Sequence, residues 1–348
     1  MTTTHHISPR FRRTTKRTLG IAATLILLAA CAAGPRLPEI QNYAAHPDYP
    51  DFAKRMATQH GFDRAALDAW FAQTRRQQSI LDAIARPAEA KPWQDYRPIF
   101  LTEARIHGGV TFWNAHADLL RRAAQTYGVD PAMIIAILGI ETFYGGNTGR
   151  YRVLDALATL GFDYPPRSAF FLGELEEYLL LSREEHVDPL TTQGSYAGAM
   201  GAGQFIPSSY RAYAVDFDGD GQRNLWNSWP DIIGSVAHYF ARHHWEKGGL
   251  IAVPAALPAG KTLDYPPGMQ EVSVADLRAA GLVFSAGVPD DARSWLIVLQ
   301  TADGPDYWVG LNNFYVITRY NRSPLYAMAA YQLSAAIRQA HEAERAER

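Results

Sequence analysis

The sequence predicts an α+β fold that is mainly helical, with a small β-rich insertion near the end of the chain. Apolar residues recur at helical spacing from Phe52 to Ala85, from Ile99 to Tyr127 and from Pro131 to Tyr144. Prolines then punctuate short β-type runs between Leu250 and Gly310, including the apolar run at 294–299. A final apolar stripe at helical spacing closes the chain, formed by Tyr326, Ala329, Ala330, Leu333 and Ile337.

The composition is that of a folded protein and argues against nucleic-acid binding. Of the 348 residues, 47% are hydrophobic and 20% are charged, which is too apolar for a disordered chain. The formal net charge is −2, and the segment before Cys31 contains five cations and no acid. Without that segment, 28 basic residues would face 35 acids, a net charge of −7. A mildly acidic protein lacks the clustered cations that bind a phosphate backbone.

The N-terminal segment has the organisation of an export signal that ends at a cysteine. Basic residues at 10–17 precede an apolar stretch at 19–30, which is too short to span a bilayer but suits a signal peptide. Small residues before Cys31 resemble the lipobox of bacterial lipoproteins, in which that cysteine becomes the lipid-bearing N-terminus. With Ala32 next, the resemblance implies an outer-membrane anchor facing the periplasm. The alternative is a short membrane anchor with an incidental cysteine.

Composition shifts divide the chain into six predicted segments. A lipoprotein signal peptide at 1–30 is followed by a Pro-rich tether at 31–50 and a helical domain at 51–130. A catalytic core at 131–250 precedes a β-rich subdomain at 251–322 and a closing helix at 323–348. The single cysteine excludes a disulfide or a Cys-x-x-Cys site within one chain.

Glu141 is the candidate acid of a catalytic helix. Asp130 as N-cap, Pro131 at the first helical position and Gly145 beyond the last turn predict the helix bounds. Glu141 continues a face at i, i+3, i+4 and i+7 formed by Ile134, Ile137 and Leu138. Loss of solvation and the helix dipole both favour the protonated carboxyl there, which suits a general acid. The alternative is a structural glutamate satisfied by neighbouring donors.

A Gly-rich segment downstream completes a recognisable pair of motifs. Residues 195–209 read SYAGAMGAGQFIPSS, and residues 139–146 around Glu141 read GIETFYGG. Together they resemble the lysozyme-like transglycosylases, and more closely the membrane-bound lytic murein transglycosylase B family of the soluble lytic transglycosylase 35 type. The resemblance runs from about Phe52 to Ile337. It implies a mainly helical lysozyme-like core with an EF-hand-like loop.

The same resemblance assigns roles to individual residues. It implies that Glu141 is the sole acid and base for cleavage of the β-1,4 bond between N-acetylmuramic acid and N-acetylglucosamine in peptidoglycan. The C6 hydroxyl of the muramic acid would be the nucleophile, leaving a 1,6-anhydro end. Phe143 stands where some relatives carry arginine. The residues expected to contact glycan or peptide stem are Ser195, Gln204, Tyr239, Tyr320, Asn321, Tyr96, Arg167 and Tyr144, with tyrosines 144, 239 and 320 as aromatic platforms.

Residues 216–227 match the start of an EF-hand loop. Acids at alternate positions and Gly at the sixth predict one structural Ca²⁺ site, although Asn227 cannot supply the final carboxylate. The resemblance implies that Asp231 supplies it instead. The expected ligands are Asp216, Asp218, Asp220, the Gln222 carbonyl and Asp231. The alternative is an acidic surface turn without metal, and no organic cofactor is expected.

Two other functions remain open on the sequence alone. One is a lysozyme-type hydrolase in which a second acid such as Asp155 or Asp163 activates water. The other is a catalytically silent glycan-binding lipoprotein. Zinc-protease and serine-hydrolase motifs are absent from the sequence. The expected partners are peptidoglycan strands and outer-membrane lipid, for a monomer that could join cell-wall synthesis or division complexes.

Overall fold

A computed structural model describes residues 42–85, 91–261 and 263–347, all within the compact unit Ile40–Arg348. The predicted signal peptide and Cys31 lie outside the described residues. The α-helices of the described part, α1 to α14 in chain order, are Tyr49–His60, Arg64–Phe71, Gln78–Ile84, Trp93–Phe100, Glu103–Ala115, Ala117–Tyr127, Pro131–Thr142, Val153–Asp163, Ser168–Glu184, Pro207–Tyr213, Trp229–Arg242, Val274–Ala279, Asn312–Tyr320 and Pro324–Glu347.

Two antiparallel sheets accompany these helices, and together they confirm the α+β fold. A two-stranded sheet pairs β1 (Tyr151–Arg152) with β2 (Gln193–Gly194). A five-stranded sheet has the strand order β4-β6-β7-β3-β5. Its strands are β3 (Ala252–Ala256), β4 (Gly268–Glu271), β5 (Val283–Phe284), β6 (Trp295–Thr301) and β7 (Gly304–Gly310).

The folded part begins earlier than the predicted tether allows. The tether is predicted to reach residue 50, but Tyr43 and Tyr49 are 0% and 1% exposed. Their hydroxyls donate to Asp163 at 2.6 Å and to Asp68 at 2.7 Å. The aromatic rings therefore pack into the core. The proline content of the segment predicts a tether, but it carries no information about the burial of these tyrosines.

One hydrophobic core unites the predicted helical domain and catalytic core. Its buried members run from Tyr43 to Ile337, so no core boundary falls near residue 130. The final helix α14 packs against α7 and α5. A second, smaller cluster between Val253 and Leu311 lies within the β-rich part.

Helix α7 is buried on every side. All residues from Ala132 to Ile140 are buried, which is typical of a helix at the centre of a core. The Asp130 side chain accepts from Ala132 N at 2.8 Å, as an N-cap does. The helix ends at Thr142, two residues before the predicted Tyr144, because Phe143 already has the left-handed φ of 53°.

Within the described residues, no single helix is long and apolar enough to cross a membrane. Helices α6 and α7 meet the length and composition requirements only as a pair that is bent by 113°.

Candidate active site

Glu141 lies in the last turn of α7 and is held by a buried tyrosine from α14. The hydroxyl of Tyr326 donates to Glu141 Oε1 at 2.6 Å. Burial, together with the Glu141 charge, raises the pKa of Tyr326 well above its ordinary value. Tyr326 therefore stays protonated and presents a permanent neutral donor to the carboxyl group.

The residue after Glu141 fastens α7 to the Gly-rich loop. Thr142 is 1% exposed, and its hydroxyl donates to the Ala202 carbonyl at 2.8 Å. The same hydroxyl accepts from Gly145 N at 2.9 Å. Phe143 and Tyr144 follow with φ of 53° and 60°, an unfavourable backbone for aromatic residues. Strain of this kind clusters at functional sites, and here it follows directly after Glu141.

The Gly-rich loop is held by contacts between its own backbone and side chains. The Ser195 hydroxyl accepts from Ala199 N at 3.0 Å, which closes a turn within the loop. Gln204 has φ of 52°, and its amide donates to the Thr148 carbonyl at 3.1 Å. Gly201 has φ of 68°, and a Cβ there would overlap the Leu225 carbonyl. A glycine is therefore required where this loop meets the predicted calcium loop.

A cleft of about 870 Å³ gathers five of the predicted binding residues. Together they span more than 150 positions of the chain, yet all line this single space: Arg167, Gln204, Tyr239, Tyr320 and Asn321. Residues that were not predicted join them, including Phe170, Tyr213, His243, Arg319 and Arg322.

The cleft presents tyrosine rings rather than free hydroxyls. Tyr239 donates to the Arg319 carbonyl at 2.5 Å, and Tyr320 donates to the Gly203 carbonyl at 2.6 Å. The two rings meet edge to face with centroids 4.8 Å apart. Burial raises the pKa of both tyrosines, and the charge of Glu141 adds to the shift at Tyr320. The Glu141 carboxyl therefore adjoins an aromatic, neutral wall.

Arg167 lies at the rim of the cleft on an aromatic support. Its guanidinium is 4.4 Å from the ring centroid of Phe170 and 5.0 Å from that of Phe171. Cation–π contact of this kind holds the charged group without neutralising it. Arg167 can therefore offer its fork of donors to an anionic or carbonyl group of a ligand.

Three predicted contact residues are placed differently from the expectation. The Tyr144 hydroxyl donates to the Arg105 carbonyl at 2.6 Å, and its ring packs between Gly108 and Gly139. Tyr96 is 2% exposed and packs against neighbouring rings. The Ser195 hydroxyl is committed to its own turn. None of these side chains, nor that of Glu141, is among the described residues that line the cleft. The hydroxyl and ring of Tyr144 are engaged in internal contacts.

The predicted calcium loop brings three carboxylates together. Oxygen atoms of Asp216, Asp218 and Asp231 all lie within 4.8 Å of one another. Asp231 is fully buried, and burial raises its pKa. Backbone donors led by Gly221 N lower the pKa of Asp216. Oxygen donors of this kind suit a hard cation such as Ca²⁺.

Asp220 is the exception among the predicted carboxylate ligands. It is not part of the three-carboxylate group, and its Oδ1 accepts from Gln222 N at 2.8 Å. Aspartate side chains in turns commonly accept a hydrogen bond from the backbone N–H two residues later, and this bond is of that kind. The side chain is thereby directed at its own backbone.

Comparison with known proteins identifies the family. Residues 44–335 match the transglycosylase SLT domain. The chain is 42% identical over 356 residues to membrane-bound lytic murein transglycosylase B of Escherichia coli, covering 92% of this chain and 98% of that protein. This protein is a lytic transglycosylase. It belongs to a family of enzymes that act on peptidoglycan, and the predicted family is confirmed.

Solved structures agree with the lysozyme-like fold of the lytic transglycosylase. SltB1 of Pseudomonas aeruginosa has a TM-score of 0.81 at 50% identity and covers 86% of this chain and all of that one. Slt35 of Escherichia coli, solved in complex with calcium, has a TM-score of 0.78 at 46% identity, with 86% and 95% covered. SltB3 of Pseudomonas aeruginosa, solved with NAG-NAM-pentapeptide, has a TM-score of 0.72 at 30% identity, with 84% and 79% covered.

The acids that a hydrolase would need are occupied elsewhere in the transglycosylase. Asp155 accepts from Arg75 N at 2.9 Å and from Arg152 at 2.6 Å. Asp163 accepts from the Tyr43 hydroxyl at 2.6 Å and pairs with Arg76 at 3.1 Å. Neither lines the cleft, and none of the described lining residues is an aspartate or glutamate.

Sequence reasoning missed two residues that position the Glu141 carboxyl and its loop. In the sequence, Tyr326 belongs to an apolar helical stripe, and Thr142 is not distinguished from its neighbours beside Glu141. The only available signal is a polar atom in an otherwise apolar setting, since a buried hydroxyl must find a partner. The identity of that partner depends on the folded chain, because Tyr326 and Glu141 are 185 positions apart.

Proposed function

We propose that Glu141 is the single acid and base of a lytic reaction that cleaves the β-1,4 bond between N-acetylmuramic acid and N-acetylglucosamine. The main support is that the half-buried Glu141 acts electrostatically on Tyr320, which lines the cleft, although Glu141 is not itself among the described lining residues. No other aspartate or glutamate is among those lining residues either. A two-carboxylate mechanism needs a second acid facing the sugar. With one carboxyl beside the cleft, the nucleophile has to come from the substrate.

The reaction balances with that one group. Glu141 gives its proton to the glycosidic oxygen as the bond to the muramic acid C1 breaks. The C6 hydroxyl of the same sugar then forms a bond to C1 and gives its proton to the Glu141 carboxylate. The enzyme returns to its starting state, the glucosamine leaves with a free hydroxyl, and the muramic acid ends as a 1,6-anhydro sugar.

The surrounding residues position this chemistry. Tyr326 fixes one carboxyl oxygen of Glu141, and Thr142 ties the Gly-rich loop to the catalytic helix. The rings of Tyr239 and Tyr320 offer apolar faces to sugar rings. Gln204 lines the same cleft and suits a contact to an N-acetyl group, and Arg167 and Asn321 suit glycan or peptide-stem contacts at its rim.

The decisive experiment is Glu141→Gln, assayed by mass analysis of products from purified glycan strands. The substitution keeps the shape but removes the transferable proton, so the rate of anhydromuramyl release should fall by about 10⁴ or more. The exposed Glu103→Gln in α5 is the matched control and should retain wild-type turnover. Retention of more than about a tenth of the activity by Glu141→Gln would overturn the assignment.

The same assay separates the alternatives. Reducing muramic acid ends from the wild type would indicate a hydrolase that uses water. Binding of glycan with no product from the wild type would indicate a silent glycan-binding protein. Only 1,6-anhydro ends agree with the proposal.

We also propose one structural calcium ion held by Asp216, Asp218 and Asp231, with the Gln222 carbonyl and Asp220 completing the site. The convergence of three carboxylates supports it, since such charges repel without a cation. Slt35, solved with calcium, is a relative at 46% identity. In the calcium-bound protein Asp220 would have to turn away from Gln222 N, which a loop residue can do.

Finally, we propose that the mature chain begins at a lipid-modified Cys31 that anchors it to the outer membrane, facing the periplasm. The basic run, the short apolar stretch and the small residues before Cys31 support this processing site. A curated relative at 42% identity carries the name membrane-bound.

A further inference from the structure

A second cavity of about 860 Å³ borders the β1–β2 pair and shares no lining residue with the cleft. Its walls come from the segment after α2, from β1 and from β2. Polar side chains dominate them, including Gln73, Gln77 and Gln193. We call this cavity the arginine groove, because Arg75, Arg150 and Arg152 all line it.

The arginine groove carries excess positive charge. Asp155 is the only acid among the described residues that line it, and that carboxylate already accepts from Arg152 and from Arg75 N. Arg75 and Arg150 are exposed, and neither forms an ion pair with any carboxylate in the described part of the chain. The neighbouring Arg76 differs, because Asp163 neutralises it at 3.1 Å. Two guanidinium groups without an ion pair, on a chain of net charge −2, make the groove a candidate anion site.

Arg152 supplies a second, independent observation. Its Nη2 donates to the Gln73 carbonyl and to Asp155, yet its Nε is buried without a hydrogen-bond partner. A desolvated guanidinium donor left unpaired costs free energy, and a buried one is uncommon. The planar donors of arginine match a carboxylate in two-point geometry. Arg152 therefore brings a further unsatisfied guanidinium donor to the lining of the groove.

The arginine groove is connected to the Gly-rich loop through the β1–β2 pair. Arg152 pairs with Gln193 in the β1–β2 ladder, and Ser195 follows β2 directly. Gly149 has φ of 97°, and a Cβ there would overlap the Gly194 backbone. Because the two strands are this close, a ligand held in the groove has a fixed relation to the Gly-rich loop.

We propose that the arginine groove binds the carboxylates of peptidoglycan peptide stems, outside the catalytic cleft. This inference rests on the proposed function, because a glycan strand lying in the cleft carries such stems on its muramic acids. The glutamine side chains beside the arginines can donate to the peptide backbone of a stem. A small inorganic anion would occupy only the arginines and would not need these additional donors. Bound stems would hold the enzyme on its polymer between cleavage events.

The test compares Arg75→Gln/Arg150→Gln with the control Lys54→Gln/Arg242→Gln, which removes the same charge from exposed positions outside the groove. Binding to purified peptidoglycan is measured by co-sedimentation at low salt, before and after amidase removal of the stems. We expect about a tenfold weaker affinity of the groove variant for stem-bearing material, and none of that loss with bare glycan. Turnover on bare glycan should remain at the wild-type level.

Several results would overturn the inference. They are an unchanged affinity of the groove variant, an equal loss with bare glycan, and an equal loss in the control. Competition by inorganic phosphate, but not by an isolated stem tripeptide at equal concentration, would assign the groove to phosphate instead. If the wild type bound peptidoglycan in a stem-dependent way but released no anhydro ends, the result would support stem binding by the groove and contradict the proposed reaction.

Discussion

Tyr326→Phe isolates the hydrogen bond that orients the Glu141 carboxyl, the proposed acid and base. The tyrosine is 3% exposed, so phenylalanine keeps the packing and removes only the hydroxyl that donates to Glu141 Oε1 at 2.6 Å. A donor to a carboxylate stabilises the charged form. Its loss therefore favours the protonated acid, and the alkaline limb of the pH profile of kcat/KM should move to higher pH.

The size of the shift follows from the bond. A hydrogen bond to a charged group contributes about 1.5–3 kcal/mol, and one pH unit corresponds to about 1.4 kcal/mol. Those values give a ceiling of about two pH units. Glu141 is only half-buried, so solvent replaces part of the lost interaction and a shift of about one unit is expected. Tyr326 is itself uncharged over this range, because its pKa is raised well above the ordinary value.

The assay is release of 1,6-anhydromuramyl ends from purified strands, followed across pH for the wild type and two variants. Tyr331→Phe is the matched control, because Tyr331 lies on the same helix and donates to the Ala252 carbonyl at 3.1 Å, away from the cleft. Its alkaline limb should stay in place. An unmoved limb in Tyr326→Phe, or one displaced to lower pH, would refute the electrostatic role of this tyrosine.

Three further predictions concern the loop, the metal and the anchor. Thr142→Val should leave the Ala202 carbonyl unpaired, costing about 1–3 kcal/mol, with a lower Tm and a lower kcat; a variant equal to wild type in both would contradict this. Chelation should lower Tm, and added Ca²⁺ at about 100 times Kd should restore about 2.7 kcal/mol; a metal-free preparation indifferent to both would exclude the site. Cys31→Ala should yield precursor or a soluble periplasmic form, so unchanged detergent partitioning would exclude lipidation.

Helix boundaries were predictable where the signal is local. Asp130 and Pro131 begin α7 because a capping side chain and a fixed φ act on the adjacent backbone alone. The end of α7 was predicted too late, since Phe143 takes a left-handed conformation that local preference disfavours. Tertiary contacts therefore fix that end.

The binding residues were predictable only in part, because tyrosine has two common uses. Tyr239 and Tyr320 line the cleft, whereas Tyr144 and Tyr96 fill the interior. The four share a residue type and differ in what surrounds them, and the chain has 18 tyrosines. Spacing along the sequence does not show which side of a helix–loop junction faces open space.

The three functional segments are joined by backbone contacts that no motif describes. Thr142 binds the Ala202 carbonyl, and Ala202 N in turn donates to the Leu225 carbonyl at 3.3 Å. One residue earlier, Asn224 N donates to the buried Asp231 at 2.8 Å. A continuous series of bonds thus leads from the carboxylate cluster through the Gly-rich loop to the residue beside the catalytic acid. Each link has a backbone group at one end or both, and such groups have few alternative partners. We therefore expect an ordered acidic loop to restrain the Gly-rich loop, although none of its carboxylates lines the cleft.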